Sequence, residues 1–445
     1  MEKIVIIGAN HAGTAAIKTI LSNYKDKEVV VYDKNSNISF LGCGMALWIG
    51  EQISSGEGLF YSSKEDLESM GAKVNMNSEV KSVDFINKKI VVSVEGNDIE
   101  DNYDKLILAT GSTPRMLDIE GNDLNNIQMV KLYQNAKEVI VKLEKEKFEN
   151  VVVIGAGYIG VELAEAFKRL DKNVTLIDHC PRVLNGYYDD IFTDEMERNL
   201  SNHGINVALN ETVIKFTGDE NNNVNKVITD KKEYNADMVI MAVGFNPNTD
   251  IGKNYLKLYE NGAYLTNKKC QTSDKDVYAI GDCATVYNNA IENYDYIALA
   301  TNAVRSGIIA AHNVCGTNIE SEGVQGSSAI SIYNLNMVST GLTVSQAKSM
   351  NIDVDYTDYE DTKKPAFMEV ENPKVKIRIV YRKEDRVIVG TQIMSTYDIS
   401  MGIHMFSLAI QEKLTIDKLA LLDLFFLPHF NQPYNFITMA ALNAK

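Results

Sequence analysis

The chain has 445 residues, which is too long for one ordinary hydrophobic core and predicts about three domains. Its formal net charge of −16 argues against nucleic acid and anionic membranes, because both need clustered lysine and arginine. No run of about 18 apolar residues occurs, so no membrane span is expected. The opening segment, MEKIVIIGAN, lacks a signal-peptide pattern, and a cytoplasmic location is the default expectation.

The first element predicted along the chain is a βαβ unit over residues 3–34. An apolar strand leads into a glycine turn, an amphipathic helix and a second strand that ends at Asp33. Gly8 and Gly13 occupy the outer positions of a dinucleotide-binding turn, but Asn10 stands where the middle glycine is usual. Because the acid Asp33 is in the expected place, the pattern favours nucleotide binding over a plain α/β core unit.

Cys43 comes next, in the segment NISFLGCGMALWIG. The flanking Gly42 and Gly44 allow the backbone to pack close against a flat ring, and MALWIGEQ is typical of the first turns of a helix. The dipole of such a helix would stabilise a thiolate, so Cys43 is predicted to be anionic at neutral pH. A thiolate attacks peroxide bonds and becomes a sulfenic acid. The alternative is a small buried apolar side chain, the usual role of a free cysteine.

A second βαβ unit is predicted over residues 150–178. Its turn contains Gly155, Gly157 and Gly160, which form the full dinucleotide fingerprint, and its second strand ends at Asp178. Asp178 would accept hydrogen bonds from a ribose 2′-hydroxyl and repel a 2′-phosphate, which favours NADH over NADPH. The helix behind the turn is indicated by apolar residues at helical spacing, namely Ile159, Leu163, Phe167 and Leu170.

Three further segments read as a strand followed by a turn. They cover residues 103–115, 237–248 and 272–284. Their simplest interpretation is structural, but their order relative to the two βαβ units favours a nucleotide-binding role. One unit would then bind FAD and the other the nicotinamide nucleotide.

The remaining patterns concern loops and the C-terminal region. The acidic runs 353–362 and 218–223 are predicted to be solvated loops. Residues 366–395 predict strands joined by the turns ENPK and KEDR, with a helical pattern from Asp398. The apolar stretch LALLDLFFL (419–427) favours a buried helix.

The five cysteines are far apart and form no C-x-x-C or C-x-x-x-x-C pair, so a disulfide framework is not expected. Cysteine chemistry within the chain should therefore use one thiol at a time. The six histidines form no H-x-x-x-H or mixed Cys/His cluster, and no metal site is predicted.

These motifs give the chain a family resemblance over its whole length. It resembles the two-dinucleotide flavoprotein (FAD-dependent pyridine nucleotide-disulfide) oxidoreductase superfamily, and within it the single-cysteine branch. The segments that carry the resemblance are GANHAGTA, NISFLGCGMALWIGEQ, GLFYS, LYQNA, NGYYD, YIALATNAVRSG, GVQGS, MVSTGLT and FFLPHFNQPYN. Together they are most similar to the water-forming NADH oxidases.

The resemblance implies an α/β fold with two Rossmann-like dinucleotide-binding domains and a C-terminal α+β dimerisation domain. The FAD domain would be discontinuous, covering residues 1–117 and 246–322. The NADH domain would be inserted at 118–245, and the interface domain would cover 323–445. A homodimer, possibly a tetramer, is expected, with no nucleic-acid or membrane partner.

The resemblance also assigns roles to positions in this sequence. Asp33 would bind the FAD ribose, Asp282 the ribityl chain and Lys131 the region of the flavin. His429 and Phe430 would reach the active site of the partner subunit. The full FAD set is Gly8, Asn10, His11, Ala12, Asp33, Lys34, Cys43, Val80, Ala109, Thr110, Gly111, Ser112, Lys131, Asp282, Leu299, Ala300, Thr301 and Phe430, and the NADH set is Gly155, Gly157, Tyr158, Ile159, Gly160, Asp178, Tyr187 and Gly244.

The activity implied is reduction of O2 to two waters by two NADH, through one tightly bound FAD per subunit and a Cys43 thiolate–sulfenic acid cycle. His11, in the first glycine turn, would hydrogen-bond the thiolate or deliver a proton to leaving hydroxide, unless it only packs. Three alternatives stay open: an NADH peroxidase, a coenzyme A-disulfide reductase and a low-turnover redox sensor. Gly42 counts against the reductase, which usually has asparagine before the cysteine.

Overall fold

The computed structural model describes residues 1–445, and its helices are mostly short. In chain order they are α1 His11–Asn23, α2 Met45–Ile49, α3 Lys64–Ser69, α4 Tyr133–Lys145, α5 Tyr158–Arg169, α6 Asp190–Asn202, α7 Ala300–Val314, α8 Val344–Ser349, α9 Gly402–Gln411, α10 Ile416–Ala420 and α11 Phe436–Leu442. Single 3-10 turns occupy Gly42–Gly44, Gly56–Leu59 and Gly281–Cys283. None of the helices combines the length and apolar character that crossing a bilayer demands.

The strands belong to seven sheets. In chain order they are β1 Glu2–Ile7, β2 Lys27–Tyr32, β3 Lys73–Asn75, β4 Ser78–Asp84, β5 Lys89–Val94, β6 Asn97–Asn102, β7 Lys105–Leu108, β8 Ser112–Pro114, β9 Ile127–Met129, β10 Asn150–Ile154, β11 Asn173–Asp178, β12 Asn206–Leu209, β13 Val213–Gly218, β14 Val224–Thr229, β15 Glu233–Asn235, β16 Met238–Met241, β17 Phe245–Pro247, β18 Val277–Ala279, β19 Val286–Asn288, β20 Asn293–Asp295, β21 Ser328–Ile332, β22 Leu335–Gly341, β23 Val354–Thr362, β24 Lys374–Arg382 and β25 Ile388–Ser395.

The first α/β unit is built on a parallel sheet with the strand order β18-β7-β1-β2-β3. Its central strand β1 buries Ile4, Val5 and Ile6 completely, as expected of a parallel strand covered on both faces. Helices α1 and α7 pack tightly together, since a Cβ at Gly307 would lie 2.4 Å from the carbonyl oxygen of Ala12. This packing brings the middle of α7 beside the first glycine turn.

The second α/β unit repeats the same plan. Its parallel sheet has the order β12-β11-β10-β16-β9, and its central strand β10 is buried along Val151–Val153. Helix α5 follows the glycine turn after β10, so both predicted βαβ units are confirmed. The predicted helix residue Leu170 lies just past the end of α5, as its C-cap.

Small antiparallel sheets complete the two units. β4-β5-β6 belongs to the first part of the chain, and β13-β14-β15 follows the second parallel sheet. The pair β17-β8 joins residues 245–247 to 112–114 across the inserted segment. The acidic run at 218–223 forms the turn between β13 and β14, as predicted.

The C-terminal unit is a five-stranded antiparallel sheet, β21-β22-β25-β24-β23, with α9, α10 and α11 packed on it. Asp189, at the N-cap of α6, joins this sheet to the second α/β unit. Its carboxylate accepts from Gln392 Nε2 at 2.7 Å and from the Val344 N–H at 3.1 Å. The predicted fold class, two α/β nucleotide-binding units and a C-terminal α+β unit, is confirmed. The domain boundaries remain a prediction.

One sequence prediction in the C-terminal unit is wrong. The acidic run 353–362 is not a loop but the edge strand β23, paired with β24 along its length. Val354 and Thr357 are buried, and two acids of the strand pair with cations on β24. Asp358 lies 2.7 Å from Arg378 Nε, and Glu360 lies 2.7 Å from Lys374 Nζ. Charged side chains of this kind are typical of an edge strand. Conversely, the predicted strand at 366–370 is absent, and those residues form turns.

The stretch LALLDLFFL is also not a buried helix. Helix α10 ends at Ala420, and the residues that follow have no regular structure. Leu421 is 83% exposed and Phe425 is 68% exposed. A helix forms here only if its apolar face is buried, and nothing in the same chain covers this segment. Contiguous exposed apolar side chains of this kind are typical of a surface that another chain covers.

Candidate functional site

The first glycine turn lies between β1 and α1 and is shaped for a phosphate. Gly8 has a φ of +99°, and a Cβ there would lie 2.3 Å from the Ala109 carbonyl oxygen. The N-cap of α1 makes no side-chain capping bond, so N–H groups of the first helical turn are free to bind an anion. Asp33 accepts the Ala9 N–H at 2.7 Å, which fixes the carboxylate at the end of β2. The turn therefore fits a dinucleotide.

The structure explains why Asn10 is compatible with this turn. Asn10 has φ −83° and ψ −150°, and Gly157 in the second turn has φ −75° and ψ −172°. Both are extended conformations that any residue can adopt. The backbone conformation at this position therefore does not require the glycine that the fingerprint usually has.

The second glycine turn repeats the geometry of the first. Gly155 has a φ of +101°, and a Cβ there would lie 2.3 Å from the Ala242 carbonyl oxygen. Asp178 accepts the Ala156 N–H at 2.6 Å through one carboxylate oxygen and the Cys180 N–H at 2.7 Å through the other. Asp178 is therefore fixed in the position that a ribose would meet.

The other predicted NADH residues surround this turn. The Tyr158 and Tyr187 rings pack edge to face with centroids 4.8 Å apart. Tyr158 also hydrogen-bonds Ser328 at 2.8 Å, a contact between the second α/β unit and the C-terminal unit. Gly244 has a φ of +95° and follows β16, while Ile159 and Gly160 lie in the first turn of α5.

Three residues with metal-ligating side chains lie together at the end of β11. Asp178, His179 and Cys180 place one ligand atom each within 4.8 Å of one another. These residues are consecutive, and both oxygens of Asp178 already accept backbone N–H groups. The proximity of the three side chains therefore follows from their adjacent positions in the chain and from the hydrogen bonds that hold Asp178 at the glycine turn.

Several predicted FAD residues converge on one polar cluster. Ser112 donates to Asp282 Oδ2 at 2.9 Å, and Lys131 Nζ donates to Ser112 Oγ. Burial lowers the pKa of Lys131 to about 8, although the Asp282 carboxylate opposes this effect. Lys131 Nζ also lies 4.3 Å from the centroid of the Phe245 ring. A partly buried lysine with few partners suits a site that an anionic or strongly polar ligand completes.

The remaining predicted FAD positions lie on the first α/β unit, with one exception. Thr110 donates to the Asn248 carbonyl at 2.5 Å, and Gly111 has a φ of +69°. Leu299 caps α7, whose first residues are Ala300 and Thr301. The others lie on the same unit: Ala12 in α1, Lys34 exposed after Asp33, and Val80 buried in β4.

The exception is Phe430, which lies on the C-terminal unit. Its ring contacts Phe425 with centroids 6.2 Å apart, and it is 56% exposed. The neighbouring Asn431 and Gln432 hydrogen-bond to Phe425 and Thr362, within the same unit. The hydrogen bonds of this segment therefore anchor it to the C-terminal unit and not to the FAD cluster of its own chain.

Cys43 lies in the 3-10 turn Gly42–Gly44, directly before the short helix α2. The turn packs against Leu59, since a Cβ at Gly44 would lie 2.3 Å from a Leu59 methyl group. The Cys43 side chain is exposed to a cleft, and none of the five cysteines is in a disulfide. The expected low thiol pKa is not found. Surrounding protein and the carboxylates of Glu162 and Asp282 raise the pKa of the Cys43 thiol.

Glu162 is a site residue that the sequence analysis missed. It lines a cavity of about 340 Å³ together with Cys43, Glu165, Ile330, Asn336 and Asp398. Burial and the charge of Glu165 raise the pKa of Glu162 to about 7. Its position two residues after the last fingerprint glycine was a signal, but only the folded structure brings α5 beside the Cys43 loop.

His11 is the first residue of α1 and is partly exposed. Its Nδ1 lies 3.1 Å from the Tyr61 hydroxyl, and the two rings are parallel with centroids 5.7 Å apart. Burial lowers the pKa of His11, and the charge of Asp282 acts in the opposite direction. Tyr61 is the second residue near this site to which sequence reasoning gave no role.

Comparison with protein families accounts for this arrangement. Residues 2–307 match the model of the pyridine nucleotide-disulphide oxidoreductase family, and residues 328–435 match its dimerisation domain. The chain belongs to this family. The predicted superfamily is confirmed, and with it the expected class of oxidoreductase.

Individual relatives are similar over the full length. An NADH oxidase of Streptococcus pyogenes serotype M6 is 58% identical over 457 aligned residues, covering 100% of both chains. An NADH oxidase of Lactococcus lactis subsp. cremoris is 49% identical over 445 residues, again with 100% coverage of both. The solved structure of a water-forming NADH oxidase from Lactobacillus brevis, bound to NADH, matches with a TM-score of 0.96 and 38% identity, covering 99% of this chain and 98% of that chain. The predicted similarity to NADH oxidases is confirmed.

Proposed function

We propose that this protein is an FAD-dependent NADH oxidase that reduces O2 to two waters with two NADH, using Cys43 as its redox-active thiol. The observation that carries the proposal is an exposed, unpaired thiol in a chain that holds two dinucleotide-binding turns. A second thiol for dithiol chemistry is lacking beside Cys43, because no other cysteine lines the cavity that Cys43 faces. The full-length similarity to NADH oxidases supports the same reading.

FAD would be held by the first unit, with its pyrophosphate on the start of α1 and a ribose on Asp33. Lys131, Ser112 and Asp282 would bind polar groups nearer the flavin. When bound, FAD supplies hydride acceptance from NADH and transfer of the electrons to oxygen and to oxidised Cys43. The protein orients the two nucleotides relative to each other.

Cys43 would complete the reduction from peroxide to water. Its Sγ thiolate attacks one oxygen of hydrogen peroxide, the S–O bond forms as the O–O bond breaks, and the leaving hydroxide takes a proton to become the first water. Cys43 is then a sulfenic acid. Two electrons from the second NADH and two protons restore the thiol and release the second water.

His11 would assist this step as a hydrogen-bond donor. Because the pKa of His11 is lowered, the imidazole is neutral near pH 7 and keeps one N–H. That N–H can stabilise a thiolate or deliver a proton to the leaving hydroxide. Such help is needed, since the raised pKa of Cys43 works against its ionisation.

We propose that NADH is preferred over NADPH because of Asp178. Its two oxygens are fixed by backbone N–H groups, and their remaining lone pairs can accept a ribose 2′-hydroxyl. A 2′-phosphate at the same place would meet a carboxylate. The variant Asp178→Ser should raise the NADPH-to-NADH ratio of kcat/KM by at least about tenfold. An unchanged ratio would assign the preference to other residues.

We also propose a homodimer in which the segment with His429 and Phe430 reaches the partner's active site. The exposed apolar residues 421–430 support an interface there. The test mixes Cys43→Ser subunits with subunits that carry His429→Ala and Phe430→Ala. Exchange should restore about a quarter of the wild-type water-forming activity, measured as oxygen consumed without peroxide, because half of the dimers would then contain one intact site. No restoration would mean that the segment serves its own chain.

The experiment that tests the activity measures stoichiometry. FAD-loaded protein receives limiting NADH in aerated buffer, and NADH, oxygen and peroxide are followed together. Two NADH consumed per oxygen without peroxide would support the oxidase. Activity that begins only after peroxide is added would instead identify a peroxidase. The variant Cys43→Ser should release peroxide with one NADH per oxygen, while the matched control Cys315→Ser should keep the wild-type ratio.

A further inference from the structure

Tyr61 is held at a fixed place beside the Cys43 loop. Ser39, which precedes that loop, donates through Oγ to the Ser62 carbonyl at 2.5 Å and accepts the Ser62 N–H at 2.9 Å. Ser39 is itself fully buried, and its N–H donates to the Ala9 carbonyl in the first glycine turn at 3.2 Å. One serine therefore joins the glycine turn, the Cys43 loop and the segment with Tyr61.

The residues next to Tyr61 determine the direction of its side chain. The Phe60 ring packs in an aromatic cluster, with centroids 5.5 Å from Phe40 and 5.1 Å from Tyr133. Ser62 is buried as well, and Phe60 forms an antiparallel bridge with Phe40. In an extended segment successive side chains alternate, so Tyr61 points away from that cluster. It lies over α1, with the Lys18 ammonium 5.9 Å from its ring centroid.

The Tyr61 hydroxyl lies 3.1 Å from His11 Nδ1, and the Thr14 side chain is a second polar group near it. The two rings are parallel, and the separation of 3.1 Å between the hydroxyl oxygen and Nδ1 is that of a phenol–imidazole hydrogen bond. Burial raises the pKa of the Tyr61 phenol, so it keeps its proton near neutral pH. The lowered pKa of His11 keeps the imidazole neutral. A protonated phenol that donates to Nδ1 leaves the single imidazole proton on Nε2.

We propose that Tyr61 is a positioning residue that holds His11 in its Nε2–H tautomer, with Nε2 as the donor that serves the Cys43 reaction. The inference rests on the role of His11 in the proposed function and deepens it. When the O–O bond breaks, the Nε2 proton passes to the leaving hydroxide and the phenol proton passes to Nδ1. The proton that the Cys43 thiol released to solvent on ionising is then replaced at Nε2, and the Nδ1 proton returns to the Tyr61 oxygen, so the Nε2–H tautomer and the phenol are both restored. The first water of the cycle therefore obtains its proton through a defined path.

The chain contains a second phenol–imidazole pair that serves as a control. Tyr24 lies 2.8 Å through its hydroxyl from His312 Nδ1, at the other end of α1. The pair has the same chemistry and also joins α1 to another segment. It contacts none of the candidate site residues in its hydrogen bonds, since the other partner of Tyr24 is Thr317. The variant Tyr24→Phe is therefore matched to Tyr61→Phe.

The experiment uses the FAD-loaded enzyme with isotope-labelled histidine. Long-range proton–nitrogen NMR spectra distinguish the two neutral tautomers, and the His11 signal is assigned by its loss in His11→Gln. In the wild type we expect His11 as Nε2–H, and in Tyr61→Phe a mixture of tautomers. The same variant should turn over about fivefold more slowly and release a measurable fraction of peroxide, as expected for loss of one hydrogen bond. FAD content and melting temperature are measured for each variant to check that its fold is intact.

The control and the outcomes distinguish the inference about Tyr61 from the proposed role of His11. Tyr24→Phe should leave turnover, peroxide release and the His11 tautomer unchanged. If Tyr61→Phe keeps the Nε2–H tautomer and wild-type turnover while His11→Gln is impaired, the inference about Tyr61 is refuted and the role of His11 stands. If His11→Gln itself turns over like the wild type, the role of His11 in the proposed function fails, and the inference fails with it.

Discussion

Glu162 offers the sharpest test of the electrostatics around Cys43. Burial and the neighbouring Glu165 raise its pKa to about 7. Its charge is in turn the largest contribution, after burial, to the raised pKa of the Cys43 thiol. The substitution Glu162→Gln keeps the shape of the side chain and removes the charge. It should therefore change both the pH dependence of stability and the ionisation of the thiol.

The size of the effect follows from the pKa. An ordinary glutamate ionises near pH 4.5, so a pKa of about 7 means that ionising Glu162 costs about 3 kcal/mol more in the folded than in the unfolded chain. The folded state binds this proton more tightly. The penalty is therefore absent below pH 4.5, grows as the pH rises towards 7 and is complete above 7. Glutamine is free of it at every pH.

The assay compares the free energy of unfolding of Glu162→Gln with that of the wild type at two pH values. Both pH values are chosen above the sequence pI of about 5.0, because the protein is least soluble near its pI. Between pH 6 and pH 8, we expect the variant to gain about 1.4 kcal/mol relative to the wild type. The control Glu144→Gln makes the same chemical change on an exposed position of α4 and should show no such gain.

The thiol provides a second readout of the same substitution. The rate at which iodoacetamide alkylates Cys43 follows its thiolate fraction, so its pH midpoint should move down in Glu162→Gln. Alkylation of Cys43→Ser gives the background from the other cysteines. A stability difference that is equal at pH 6 and pH 8, with an unmoved midpoint, would show that Glu162 ionises like an ordinary surface glutamate and would refute the reasoning.

Three further predictions concern positions that the structure explains. Asn10→Gly should keep the full FAD content and shift stability by only a few tenths of a kcal/mol, because Asn10 makes no capping bond; FAD absorbance and melting temperature check this. Arg378→Met should cost about 3 kcal/mol in a urea titration, because it leaves the carboxylates of Asp358 and buried Asp189 unpaired. In FAD-free protein, the lowered Lys131 pKa makes stability rise with pH between about 8 and 10.5, and Lys131→Met should remove that rise.

Local patterns determined much of this protein from the sequence alone. The two βαβ units, their glycine turns and the acids Asp33 and Asp178 were all predictable, because each turn depends on neighbouring residues and on a fixed spacing to the next strand. The sequence also showed that Cys43 has no second cysteine at a redox spacing. Even the unusual Asn10 did not obscure the first turn.

Tertiary structure decided what depends on residues far apart in the chain. Residues 354–362 form β23 because they pair along their length with β24, which also supplies cations to Asp358 and Glu360. Residues 421–427 stay exposed because no segment of the same chain covers them. The raised pKa of Cys43 comes from surrounding protein and from Glu162, and the partner of His11 is Tyr61. Desolvation and charge act through space and not along the chain, so neither the ionisation of the thiol nor its supporting residues could be predicted from the motif that contains it.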